Sequence, residues 1–207
     1  MIIQGSSEWL QLRCGKVTAS RVADIVRKTK TGVSASRARY LGEIVAERLT
    51  GVPAESFKSK DMEWGNATEE TARQFYAFMG DHKLEPIPFV DHPNIGWAGA
   101  SPDQLVDDDG LLEIKCPATH THIETLLSGE IEPDYVKQMY WQMACTGRDW
   151  CDFVSFDPRM PEDMRMFLKR VPRDDLQINI LEREVEIFLA EVDDTIKRLR
   201  RQYAEAA

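Results

Sequence analysis

Apolar positions recur every three or four residues along the first third of the chain, the period of a helix with one buried face. From Arg37 onward, Tyr40, Leu41, Ile44, Val45 and Leu49 share a face, and Gly51-Val-Pro53 stops the run. A longer helix is predicted over about 61–79, with Trp64, Ala72, Phe75, Tyr76 and Met79 on its stripe and Gly80 at its end. Ahead of both, Thr18-Ala-Ser20 caps a predicted helix over about 20–29, and Lys28-Thr-Lys-Thr-Gly32 reads as a mobile basic loop. The middle of the chain changes period. Residues 84–90, 95–100 and 111–116 are short apolar or alternating runs, punctuated by Asp91-His-Pro-Asn94 and Asp107-Asp-Asp-Gly110. The Asp-Gly step is a hairpin signal, so a β-meander is expected there. Helices over about 119–127 and 133–146 follow, ended by Gly129 and Gly147. Trp150–Phe156 then reads as a strand broken at Asp157-Pro158, and 164–171 alternates weakly. An amphipathic helix over about 181–203, carrying Val185, Phe188, Leu189, Val192 and Ile196, closes the chain. This order predicts a mixed α/β or α+β fold, a sheet packed by helices.

With no internal repeat or low-complexity linker, the 207 residues read as one domain. Charge narrows the partners: 26 Lys and Arg stand against 35 Asp and Glu, a net −9. Wrapping by nucleic acid or an anionic membrane is excluded as a general property, and any polyanion site must be a local basic patch. No apolar run approaches the ~20 residues of a membrane span. The first eight residues lack the basic and apolar regions of a signal peptide. Cys14, Cys116, Cys145 and Cys151 form neither a CxxC pair nor a disulfide-like framework, so a reduced, cytoplasmic chain is expected. Cys116 and Cys145 read as small buried hydrophobes.

Candidate chemistry concentrates in Ser101-Pro-Asp103 and, ten residues beyond Asp103, Glu113-Ile-Lys115-Cys-Pro117. On a strand, Glu113 and Lys115 point to one side, leaving Leu112 and Ile114 to be buried on the other. The Asp-Asp-Gly turn can bring Asp103 opposite Glu113, so that two carboxylates and a lysine converge. Carboxylate oxygens suit a hard cation such as Mg²⁺, which keeps water positions for a phosphate oxygen and a nucleophile. Taken alone, the same residues also fit an exposed Glu–Lys pair on a hairpin. His120-x-His122 lacks the further ligands of a zinc site and reads as loop or helix start, while His82 and His92 read as turn residues. Asp107-Asp-Asp109 reads as a solvated turn tip, and the Lys197, Arg198, Arg200, Arg201 cluster suits a helix C-terminus.

Pro102-Asp103…Glu113-Ile114-Lys115 matches the PD-(D/E)xK nuclease signature. Around it, Trp9-Leu-Gln-Leu-Arg13…Val17-Thr-Ala-Ser20, Trp64-Gly65…Glu69, Leu112-Glu-Ile-Lys-Cys-Pro117, Gln138 and Phe156-Asp-Pro-Arg-Met160 stand in one order. Together they resemble the phage lambda exonuclease family, also described as YqaJ-like viral recombinases. The resemblance implies a restriction-endonuclease-like core over about 8–160, with a central mixed β-sheet flanked by helices. It implies a processive exonuclease that digests one strand of linear duplex DNA 5′ to 3′, releases mononucleotides and leaves 3′ overhangs for phage recombination. Asp103 and Glu113 would bind Mg²⁺, which Mn²⁺ can replace, with the carbonyl of Ile114 as a further ligand. Lys115 would position or activate the attacking water, Glu69 would hold a metal-bound water or the second of two ions, and Gln138 would lie near the nucleophile. Arg13 and Ser20 would hold the 5′-terminal phosphate, and Met62, a leucine in the family, would be the wedge that splays the terminal pair. The family works as a ring-shaped homotrimer beside a single-strand annealing protein, encoded by phage or prophage in a bacterial host. If the enzyme is processive, size also calls for a ring of subunits, because one body of ~17 Å radius of gyration cannot encircle a duplex. Basic residues Lys28, Lys30, Arg37 and Arg39 would then turn toward the channel.

Two other classes remain distinguishable. A PD-(D/E)xK endonuclease or repair nuclease would cut closed circles and has no use for an Arg13/Ser20 phosphate clamp. A non-catalytic DNA-end-binding module would be expected to lack an acid or the lysine, whereas Glu69, Asp103, Glu113 and Lys115 are all present.

Overall fold

A computed structural model describes residues 2–30, 32–54 and 60–204, without the side chains at 60–63, 66 and 204. The chain opens with α1 (Ser7–Arg13), whose N-cap Ser6 accepts the N–H of Trp9. There follow β1 (Val17–Thr18), a 3₁₀ turn (Ala19–Arg21), α2 (Val22–Val26) and a small hairpin of β2 (Lys28–Thr29) and β3 (Gly32–Val33). The helix expected over 20–29 is therefore much shorter, and part of the basic loop is paired strand. Next come α3 (Ala35–Thr50), α4 (Lys60–Gly80), β4 (Leu84–Glu85), β5 (Val90–Asp91), β6 (Ala98–Ala100), β7 (Gln104–Val106) and β8 (Gly110–Lys115). The chain ends with α5 (Thr119–Ser128), α6 (Pro133–Thr146), β9 (Trp150–Phe156), β10 (Met166–Pro172) and α7 (Asp175–Ala204). Gly129 and Gly147 close α5 and α6 in the left-handed conformation, at φ 64° and 72°.

A mixed five-stranded sheet, in the order β10-β9-β8-β7-β4, forms the centre. The β8–β9 pair is parallel and the others are antiparallel. A second sheet, β1-β6-β5, lies beside the helices. The expected meander is thus divided between two sheets. Pro86 and Pro88 carry no N–H, so the run 84–90 cannot pair continuously and breaks into β4 and β5. The turn before β8 also departs from expectation. Its positive φ is at Asp107 (48°), not at Gly110, and a Cβ on Gly110 would lie 2.2 Å from the ring of Trp150. That glycine serves packing instead.

The two faces of the central sheet are buried in different cores. Leu111, Phe153 and Val171 pack under Met139 and Met143 of α6. Leu112, Ile114, Val154 and Phe156 pack against Ala72 and Tyr76 of α4. A third core joins α2, α3, α6 and α7 to the small sheet through residues such as Tyr40, Trp141, Val185 and Phe188. α7 begins six residues earlier than the periodicity predicts because Asp174 accepts the N–H groups of Leu176 and Gln177.

Candidate active site

Register places the two acids together. Gln104 pairs with Leu112 across the β7–β8 ladder, and one further step sets Asp103 opposite Glu113. Ile114 N–H, which has passed the end of β7, donates to Asp103 Oδ2 at 2.6 Å. The N–H and C=O of one strand residue face the same edge, so the Ile114 carbonyl also looks past the end of β7 toward Asp103.

Glu113 is 2% exposed, and its carboxylate is held from three directions. Gln138 Nε2 donates to Oε1 at 2.7 Å and Gln142 Nε2 to Oε2 at 2.6 Å. Lys115 Nζ lies 2.5 Å from Oε1 and over the ring of Tyr135, 4.9 Å from its centroid. Burial opposes the charge on Lys115, but Glu113 and then Asp103 outweigh it and hold the ammonium charged well above the usual lysine range. Asp103 is pushed the other way. Burial, then the charges of Glu113 and Glu69, raise its carboxyl well above the ordinary aspartate value despite Lys115 and the Ile114 N–H. Glu69 on α4 is raised by burial and by Glu113, against the pull of Arg73, whose Nη2 donates to it at 3.2 Å.

Three carboxylates therefore crowd one lysine, and Asp103 shows the strain of the excess negative charge. The donors are all oxygen, as Mg²⁺ requires, and a divalent cation would relieve the crowding. Among the described residues, no three His, Cys, Asp or Glu side chains are gathered around one point. The cysteines offer no competing site. Burial pushes all four thiols up, Cys116 to about 12.

Asp103 and Glu69 open into a cleft of about 1060 Å³ that Arg13, Ser20 and Arg73 also line. Arg13 leaves the end of α1 and lies 3.8 Å from the ring centroid of Trp9. The Trp9 indole N–H is held by Pro88 O at 2.6 Å and Ser101 Oγ at 3.0 Å, which ties Arg13 to the loop that carries Asp103. Four of the five tryptophans carry an arginine on their face. Three of those arginines have an acid: Arg48 has Asp193, Arg159 has Asp157 and Arg170 has Asp152. Among the described residues, Arg13 has no ion-pair partner.

Some expectations need correction. Ser20 is exposed inside the 3₁₀ turn and is not the cap of α2, which has only five residues, so a helix dipole adds nothing there. Arg37 does not join a basic channel face: its guanidinium is bidentate to Glu191 at 2.7 Å on both arms, over Phe188. Met62 lies in α4, but its side chain is outside the described residues. His122 is buried and bonded to Ser155 Oγ and the Met164 carbonyl, and His92 accepts the N–H groups of Asn94 and Ile95 and meets Glu182. Both are structural. Sequence reading passed over Gln142 and Arg73, each one helical turn beyond a chosen residue, although the four-residue spacing from Gln138 and Glu69 was available.

The YqaJ-like viral recombinase domain matches residues 8–149. Comparison with solved structures finds an alkaline exonuclease (LHK-Exo) from Laribacter hongkongensis at 48% identity and TM-score 0.91, covering 98% of this chain and 100% of that one. The same enzyme in complex with dAMP matches with TM-score 0.92 at the same identity and coverage. A phage-related exonuclease from Haemophilus somnus 129PT shares the fold at 17% identity and TM-score 0.68, over 89% of this chain and 96% of that one. Comparison with curated protein sequences finds no match. The mixed sheet flanked by helices is the restriction-endonuclease-like fold expected from the signature. With the match extending over more than half of its length, the chain belongs to the YqaJ-like viral recombinase family.

Proposed function

We propose that this protein is a metal-dependent nuclease of DNA, and specifically a processive exonuclease that degrades one strand of linear duplex from a 5′-phosphorylated end. Its products would be mononucleotides and a 3′ overhang suited to recombination by strand annealing. The observation that carries the reading is that Asp103, which meets Glu113 and Lys115 at the end of β8, lines one cleft with Arg13, an arginine without an ion-pair partner among the described residues. The alkaline exonuclease relative, and its complex with dAMP, support the reaction class.

Each side chain then has a task. Asp103, Glu113 and the Ile114 carbonyl hold Mg²⁺, or Mn²⁺ in its place, with Glu69 available to a second ion. Bound there, the cation supplies charge stabilisation at the phosphoryl oxygens and acidifies water. The Lys115 ammonium is a donor in this setting, so it orients the nucleophile or the scissile phosphate. Gln138 reaches Glu113 Oε1 from the less buried side and can present its amide to the nucleophile. At the other part of the cleft, Arg13 offers two parallel N–H donors to a terminal phosphate, and the exposed Ser20 hydroxyl adds a third. Processivity calls for several copies around the duplex, as a homotrimer ring, and an annealing protein would take up the strand left behind. Among the described residues no helix is long and apolar enough to cross a membrane.

The test is a Mg²⁺-dependent time course on linear duplex with one 5′ end phosphorylated and the other blocked, run beside a closed circle. The phosphorylated strand should disappear as mononucleotides while the circle stays intact. Cutting of the circle would instead establish an endonuclease, and end binding without any cutting a non-catalytic clamp.

A further inference from the structure

Gln138 and Gln142 stand one turn apart on α6, so their amides leave the same helix face and meet the same carboxylate. Their surroundings differ. Gln138 retains 9% exposure and shares Glu113 Oε1 with Lys115, whereas Gln142 is fully buried and donates to Oε2. Behind Gln142, Cys151 Sγ lies 4.0 Å from Oε1 of the amide, which fixes the sense of the side chain with its oxygen toward the thiol and its Nε2 toward the acid. Thr146 Oγ1 donates to the Gln142 carbonyl and secures that turn of the helix. Glu113, Gln138 and Gln142 all lie behind Asp103, which lines the cleft, and Gln142 is the more deeply buried of the two amides.

We infer that Gln142 is the positioning residue of Glu113: it pins Oε2 from inside the protein, so that the carboxylate presents Oε1 toward Lys115 and Gln138 in one orientation. Gln138 and Lys115, both on Oε1, can then move to substrate without freeing the acid. Partners behind a metal ligand typically affect metal affinity or activity by roughly 10–100-fold. An unpaired buried carboxylate oxygen would let Glu113 rotate toward whatever donor remains. The inference rests on the reading of Glu113 as a metal ligand.

The experiment compares wild type, Gln142→Met and Glu113→Ala, with Mn²⁺ binding measured without DNA by electron paramagnetic resonance and kcat and KM measured on phosphorylated duplex. Gln142→Met keeps the length and removes the donor. It should weaken Mn²⁺ binding about 10-fold and lower kcat about 10–100-fold while KM for DNA ends stays near wild type. Met143→Leu, the neighbouring core position, should leave all three quantities unchanged, which separates the effect from a general loosening of α6. If Gln142→Met does not fold, Gln142→Asn keeps the amide and withdraws it by one methylene, and should show the same split at smaller amplitude. If Glu113→Ala loses Mn²⁺ while the Gln142 variants bind and turn over as wild type, Gln142 has no positioning role. If Glu113→Ala itself binds Mn²⁺ as wild type does, the reading of Glu113 as a ligand is what fails.

Discussion

Asp103 and Arg13 line the same cleft, but the protein treats them in opposite ways. Around Asp103 and Glu113 the chain supplies its own partners: two glutamines, a lysine and a backbone N–H, all within 2.7 Å. Around Arg13 it supplies an aromatic face and, among the described residues, no ion-pair partner, with Glu47 acting on it only as a neighbouring charge. The acid end is assembled before substrate arrives, which is the condition for electrostatic preorganisation. In the proposed function, the arginine end would be completed by the 5′ phosphate of the substrate. Under the proposed function, a site that accepts a fresh 5′ phosphate after every cut would be served by that division, because an ion-paired acid would compete with each new end.

The largest effect expected is at the assembled end. Lys115→Ala should lower hydrolysis roughly 10²–10⁴-fold while duplex-end binding survives, since Arg13 and Ser20 are untouched. Cleavage at the wild-type rate would remove Lys115 from the mechanism. Asp103→Asn tests the crowding itself. Without divalent ions the variant should melt above wild type, because one of three neighbouring acids becomes neutral. Adding Mg²⁺ should then raise the wild-type Tm and not that of the variant. A ligand at 100 times its Kd contributes ~2.7 kcal/mol, or several degrees at about 2–4 °C per kcal/mol for a chain of this size. Equal shifts in both proteins would place the ion elsewhere.

Arg13→Ala acts on the incomplete end. A charge-assisted hydrogen bond is worth about 1.5–3 kcal/mol, so the preference for a phosphorylated over a hydroxyl 5′ end should fall roughly 10–100-fold, with kcat on bound ends little changed. Arg13→Lys should recover the charge but not the fork, and so only part of the preference. If wild type itself cuts hydroxyl ends as readily as phosphorylated ones, the clamp assignment is wrong.

How much of this the sequence could yield depended on how local the cause is. Trp150–Phe156 was legible because seven residues of strand-forming character end at Asp157-Pro158, and α5 and α6 because glycines close them. The pairing of Asp103 with Glu113 followed from counting back around a turn, even though the turn itself uses Asp107 rather than the Asp-Gly step. The division of the expected meander into two sheets was not legible, since it depends on which distant strand each short run finds. Nor was the hold of Gln142 on Glu113, which needs α6 to lie across β8. The lack of an ion-pair partner for Arg13 among the described residues is of the same kind, for Glu191 beside Arg37 and Asp193 beside Arg48 come from more than 140 residues away.

The smallest effect is the sharpest test of the comparison. Arg159 also lies on a tryptophan, 4.1 Å from the ring centroid of Trp64, but its guanidinium is bonded to Asp157 at 2.7 Å. Burial of Asp157 works against its charge, yet the bonds from Arg159 and Thr119 outweigh it and hold the carboxyl down at about 2. A depressed folded value means that this pair stabilises the protein above the ordinary aspartate range and ceases to do so as pH falls toward 2. Removing a half-exposed guanidinium should cost under about 1 kcal/mol at neutral pH. Arg159→Ala should therefore melt slightly below wild type at pH 7, and the gap should close as pH falls below the ordinary aspartate range toward 2, where the pair no longer stabilises the wild type. The end preference should stay as in wild type. If Arg159→Ala instead erased the 5′-phosphate preference as Arg13→Ala is expected to, an internal acid partner would be no guide to which arginine serves the DNA, and the contrast between the two would lose its functional meaning.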